Sequence, residues 1–76
     1  MNIIAKLELP RQHYIEQYNV VLAKQDDGSY STHLQYNGSK YISSIGAMTF
    51  DQAWEIFKTR AKRELNYSAS VFEINQ

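Results

Sequence analysis

The sequence predicts an α+β fold: a mostly antiparallel sheet of four to five strands with one amphipathic helix packed on one face, in the order β-β-β-β-α-β. Three observations carry this. Ala47 to Asn66, AMTFDQAWEIFKTRAKRELN, repeats apolar side chains at helical spacing. Most of the remainder is short runs that alternate every second residue, the period of a half-buried strand. Asp26-Asp27-Gly28 and Asn37-Gly38 fall between three of those runs, where hairpin turns belong. A chain of 76 residues allows one small α+β domain spanning residues 1–76.

The first strand is Asn2 to Leu9. Ile3, Ala5, Leu7 and Leu9 fall on one side and Asn2, Ile4, Lys6 and Glu8 on the other. Pro10 ends it, because proline has no amide to donate to a ladder. Arg11 to Gln17 reads as irregular. Tyr18 to Gln25, Tyr30 to Tyr36 and Lys40 to Ile45 then form three antiparallel strands.

Turn type decides which residues face together. A two-residue Asn37-Gly38 loop puts Leu34 opposite Tyr41, Thr32 opposite Ser43 and Tyr30 opposite Ile45, with His33 meeting Ile42 on the other face. The first hairpin allows two registers. A three-residue loop ending in a left-handed Gly28 pairs Val20 with Leu34. A two-residue Asp27-Gly28 loop pairs Val21 with Leu34 instead. The first is preferred, because it places the larger Val20 and Leu22 under the helix.

In the helix, Thr49 takes the N-cap with Gln52 three residues on, a capping box. Asp51 and Glu55 come early, and Lys58, Arg60, Lys62 and Arg63 come late, which suits the helix dipole. Phe50, Ala53, Trp54, Phe57, Ala61 and Leu65 form one apolar stripe, widened by Ile56. Asn66 is a plausible left-handed stop. Ser68 to Ile74 then reads as a final strand with Phe72 and Ile74 on one side. The expected core is Ile3, Ala5, Leu7, Val20, Leu22, Leu34, Tyr41, Ile45, Ala53, Trp54, Phe57, Ala61, Leu65, Phe72 and Ile74.

Eight Lys and Arg balance eight Asp and Glu, for a formal net charge of zero. That balance removes the simplest argument for a nucleic-acid or anionic-membrane partner. With no Cys there is no disulfide, thiolate nucleophile or Cys-containing zinc site. Met1 to Leu9 is too short and too interrupted for a signal peptide or a membrane span, so the cytoplasm of a host cell is the expected location.

Catalytic motifs are lacking. His13 and His33 have no metal partner at local spacing, none of the serines sits in a nucleophile elbow, and the single glycines cannot cradle a phosphate. No cofactor, no metal and no enzymatic activity are expected.

Two surfaces remain. The sheet face away from the helix is expected to carry Asn19, Val21, Ala23, Ser31, His33, Gln35, Lys40 and Ile42, a low-charge face suited to a protein contact or to solvent. The basic helix end, Lys58, Arg60, Lys62 and Arg63, suits either an acidic partner or simple dipole complementation. Tyrosines near strand ends, Tyr36 among them, are interface anchors or ordinary sheet residues.

Three resemblances follow. The strands followed by the TFDQAW helix start resemble the arm-binding type of DNA-binding domain, in which a three-stranded sheet enters the major groove. That likeness implies basic and aromatic residues on the exposed face; the matching positions hold Ser31, His33, Gln35 and Ile42, with Lys40 basic. The run Tyr18 to Tyr30, with its DDG turn, and the Thr49-led helix are similar to the HicB-like antitoxin domain, which implies a homodimer. Size, the MNII start, the DDG and NG hairpins and the SASVFEINQ ending resemble small phage-encoded anti-CRISPR proteins. That resemblance implies a stoichiometric inhibitor that docks on a CRISPR effector complex and blocks target binding. The expected function is therefore a non-enzymatic protein-binding module, with the DNA binder and the dimeric antitoxin as alternatives. Direct nucleic-acid contact is the lesser expectation and no membrane is involved. The expected contact residues are His33, Gln35, Tyr36 and Lys40 on the sheet and Lys58, Arg60, Lys62 and Arg63 on the helix.

Overall fold

A computed structural model of the chain describes residues 1–9, 17–36 and 40–74, with side chains described for 1–9, 17–36 and 41–66. Four strands, β1 (Asn2–Leu9), β2 (Tyr18–Lys24), β3 (Tyr30–Tyr36) and β4 (Lys40–Ala47), precede one helix, α1 (Phe50–Ile74). The strands form an antiparallel meander in the order β1-β2-β3-β4, and α1 lies across all four on one face. Consecutive strands are neighbours because each connection is short.

The first hairpin follows the preferred register. Val20 pairs with Leu34 and Tyr18 with Tyr36. Gly28 has φ of +89°, so the loop closes through the left-handed residue that glycine adopts at least cost. The Asp27 carboxylate accepts from the Ser29 amide at 2.9 Å and from its hydroxyl at 2.6 Å, which holds that carboxyl below its usual range.

The second hairpin departs from expectation. Tyr36 pairs with Lys40, Gln35 with Tyr41 and Leu34 with Ile42. The Asn37-Gly38 turn itself lies outside the described residues, but the pairing around it is one residue longer than a two-residue loop allows. A second shift follows between Thr32 and Leu34, so that Thr32 pairs with Ile45 and Tyr30 with Ala47. Ser43, with φ of +56°, marks this β-bulge. The first slip turns Tyr41 to the face away from α1, against expectation, and the bulge returns Ile45 and Ala47 to the helix side.

A comparable irregularity lies in β1. Ile3 pairs with Ala23 but Ala5 pairs with Leu22, leaving Ile4 as the extra residue. Ile3 therefore leaves the helix-facing side that Ala5, Leu7 and Leu9 share. It is not core, contrary to its sequence position.

Thr49 caps the helix as expected. Its Oγ1 accepts from the Gln52 amide at 3.2 Å, and its carbonyl accepts from the Ala53 amide at 3.1 Å. The Gln52 Oε1 reaches back to the Met48 amide at 3.2 Å, one residue before the position expected for a capping box.

At its other end the expectation fails. Asn66 is helical, and Ser68 to Ile74 continues α1 rather than forming a strand. No glycine or proline follows Gly46 in the chain, so nothing in the backbone chemistry stops the helix.

The core under α1 is Leu9, Tyr18, Val20, Leu22, Ala53 and Phe57, with Ala5, Leu7, Tyr30, Leu34, Tyr36 and Ala47 packed against it. Leu9 and Tyr18 join this core although neither was expected there. Trp54, Ile45 and Leu65 are exposed rather than core, and Ala61 is half-buried. The side chains of Phe72 and Ile74 lie outside the described residues.

Candidate functional site

The described members of the eight residues expected to meet a partner do not form one surface. Lys58, Lys62 and Arg63 are exposed on α1, with the Lys58 ammonium 2.9 Å from the Glu55 carboxylate. Gln35 is half-buried and its Oε1 accepts from the Asn19 amide side chain at 3.1 Å. Tyr36 lies on the helix side, stacked on Tyr18 with centroids 5.1 Å apart. The Lys40 side chain lies outside the described residues. His33 and Arg60 were expected at the surface, and both are buried instead.

Arg60 is 3% exposed. It occupies the helical face between Phe57 and Glu64 that points into the sheet. Its Nη1 donates to the Thr32 carbonyl at 3.1 Å and to the Thr32 hydroxyl at 2.9 Å; its Nη2 donates to Ser43 Oγ at 2.8 Å. The β4 bulge gives Ser43 its left-handed backbone, a conformation that costs a non-glycine residue on the order of 1–2 kcal/mol.

All three acceptors are uncharged, and the buried Arg60 Nε has no hydrogen-bond partner among the described residues. Among the described residues no carboxylate lies within ion-pair distance of Arg60 or Arg63. The Glu64 carboxylate, one helical turn on, accepts instead from the Tyr18 hydroxyl at 2.8 Å. Burial pushes the Arg60 guanidinium below its usual range, Arg63 adds to that push, and Glu64 opposes it.

The sheet face away from α1 is also closed. Asn19, Val21, Ala23, Ser31 and His33 are all buried, where an open face was expected. Its polar groups are joined in rows. Gln17 Nε2 donates to Asn19 Oδ1 at 2.8 Å, and Asn19 passes the row on to Gln35. In a second row Gln25 Nε2 donates to Ser31 Oγ at 2.6 Å, while the His33 ring lies 2.7 Å from Ser31 Oγ and 2.7 Å from Ser44 Oγ. Tyr41 lies beside His33 at 5.4 Å between ring centroids. Burial first, and the Arg60 charge second, lower the His33 pKa, so the neutral ring is favoured.

What the described surface offers lies elsewhere. A ring row runs along α1: Phe50 stacks on Trp54 at 6.0 Å and Trp54 on Phe57 at 5.5 Å, with Tyr30 edge-on to Phe50 at 5.9 Å. Phe57 is buried, whereas Trp54 is 38% exposed and Phe50 is 45% exposed. On the opposite flank of the helix, two adjoining hollows separate α1 from the edge strand β4. One, of about 620 Å³, is lined by Gly46, Ala47, Asp51, Gln52, Glu55 and Ile56. The other, of about 290 Å³, is lined by Ile45, Glu55, Ile56, Thr59, Arg60 and Arg63. They share Glu55 and Ile56, and together they make one shallow groove.

Sequence reasoning placed Trp54 and Ile45 in the core and so missed both surfaces. One signal was available. Tyr41 to Ala47 contains no charged residue, and it is the last strand of a meander, hence an edge.

Among the described residues no three His, Asp or Glu side chains gather in a way that could hold a metal ion. Among them too, no helix is long and apolar enough to cross a membrane. No protein-family model, curated protein or solved structure matches this chain.

Proposed function

We propose that this chain is a non-enzymatic protein-binding module that acts by occupying a surface of its partner. The observation that supports this is the exposed ring row on α1. Trp54 is held flat between Phe50 and Phe57, so it loses little freedom on binding, and the exposed Phe50 ring extends the apolar area beside it. Rigid aromatic anchors of this kind supply most of the energy of protein interfaces.

The resemblance to small phage-encoded inhibitors makes a host defence complex in the cytoplasm, such as a CRISPR effector, the first partner to test. In that role the module blocks target binding by steric occupation.

Affinity capture from host or phage-infected lysate tests the reading, with wild type compared against Trp54→Glu. Trp54 lies outside the buried core, so the variant is expected to stay folded, which circular dichroism checks. The expected result is a stoichiometric protein partner retained by wild type and lost by the variant. Recovery of no such partner by wild type overturns the reading.

A second reading, an antitoxin-like homodimer, draws support from β4, an edge of the described sheet with no charged residue from Tyr41 to Ala47. Light scattering decides it: a strict monomer at all concentrations removes it.

A further inference from the structure

We infer that the groove between β4 and α1 seats an extended, acidic segment of the partner, which adds as a strand to β4 and places a carboxylate on Arg63. The inference rests on the protein-binding reading above and names the chemistry of what is bound.

Backbone geometry supplies the first argument. Within the described sheet β4 pairs with β3 alone, so its other side offers backbone donors and acceptors at an edge. Apolar floor supplies the second. Ile45 and Ile56 face the groove and give it an apolar floor.

Charge chooses the occupant. Of the acids along the groove, Glu55 is already matched by Lys58 at 2.9 Å, and Asp51 sits in the first turn of the helix, where the dipole favours a negative charge. At the other end Arg60 and Arg63 stand one helical turn apart with no carboxylate in ion-pair distance of either among the described residues. Arg60 is enclosed and all its acceptors are neutral, so its charge acts on the groove through the low-dielectric interior, where it is weakly screened. Arg63 is exposed and has its donors free to pair with a carboxylate. Glu64, whose carboxylate accepts from the Tyr18 hydroxyl, offsets part of the Arg60 charge, which leaves Arg63 as the cation lining the groove with no carboxylate in ion-pair distance among the described residues.

The test uses the whole chain and two synthetic probes: a short Val/Thr strand peptide ending in two glutamates, and the same peptide ending in two glutamines. Binding is followed by fluorescence anisotropy and by amide chemical shifts. The glutamate peptide is expected to bind about tenfold more tightly, one charge-assisted contact's worth. It should shift the amides of residues 44–47 and 56–63. Arg63→Gln should erase the preference without moving the urea midpoint, and raised salt should shrink it. Equal binding of the two peptides, or shifts confined to Phe50 and Trp54, overturns the inference. So do concentration-dependent shifts at residues 44–47 with no peptide present, which would give the groove to a second copy of the chain. In the lysate capture, Arg63→Glu separates the two readings. If wild type and Arg63→Glu capture the same partner equally, the groove assignment falls and the binding module stands. If wild type captures nothing, the binding module falls, and the peptide preference alone then decides the groove.

Discussion

Arg60 brings a positive charge into a helix–sheet interface whose acceptors are a carbonyl and two hydroxyls. Such a charge is tolerated because the planar guanidinium reaches three acceptors at once, and because two of them sit on different strands. The side chain thus ties α1 to β3 and to the β4 bulge together. Arg60→Ala removes all three contacts and leaves the Thr32 carbonyl without them. Hydrogen bonds to charged groups are worth about 1.5–3 kcal/mol, and a loss of that order is expected in urea unfolding. Arg60→Lys should recover only part of it, since an ammonium cannot span Thr32 and Ser43 as a fork does.

His33 gives a prediction at the same scale. Its pKa in the folded protein lies below the ordinary 6.5, chiefly from burial and secondarily from Arg60. The unfolded state therefore binds the proton more readily. Stability from this group is fully present above about pH 6.5 and falls as pH drops through the depressed folded value. Urea midpoints measured from pH 7.5 down to pH 5 should decline, and His33→Gln should decline less over the same range.

Among elements, α1 shows which features local sequence can and cannot decide. The cap was legible because Thr49 and Gln52 act on amides within one turn of themselves. The inner face was legible at Ala53 and Phe57 by spacing alone. Arg60 was not, because helical periodicity assigns a position to a face while residue type assigned it to solvent. The two disagreed, and only the acceptors on β3 and β4 resolve the conflict. The far end was misread because Ser68 to Ile74 alternates like a strand, yet a helix already under way continues unless something interrupts it. The sheet carried the same limit. A bulge in β1 moved Ile3, and the one-residue slip at the second hairpin moved Tyr41, to the opposite face from the one their positions imply, while the bulge in β4 returned Ile45 to the helix side.

Two substitutions separate local from tertiary stabilisation of the helix. Thr49→Ala removes one cap bond and should cost about 1 kcal/mol. Phe57→Ala empties a core position between Ala53 and Arg60 and should cost about 3–5 kcal/mol, enough to unfold a domain of this size at moderate urea. The midpoints of both variants, read by Trp54 fluorescence, check the contrast.

For the molecule as a whole, the described sheet ends on two strands of unlike character, β1 and β4. β1 carries Lys6 and Glu8, whose charged groups lie 3.4 Å apart, and edge charges of this kind discourage pairing with another chain. β4 carries no charge from Tyr41 to Ala47, and its neighbour across the groove supplies apolar surface at Ile56. The bulge at Ser43 interrupts the regular pairing of β4, which leaves Ile45 to Ala47 as the stretch best placed to accept a strand. Docking is then expected to be one-sided. Ile45 and Ile4 are exposed to similar degrees, 40% and 42%, so a lysine at either position should leave stability within about 1 kcal/mol of wild type. Their effects on binding should differ. Ile45→Lys puts a cation on the floor of the groove and at the edge that an incoming strand must approach, and it should abolish capture of the partner. Ile4→Lys alters the opposite edge and should leave capture unchanged. Parallel capture with the two variants, each verified as folded by its urea midpoint, checks this. Loss of binding on the β1 side with retention on the β4 side would reverse the assignment of the two edges.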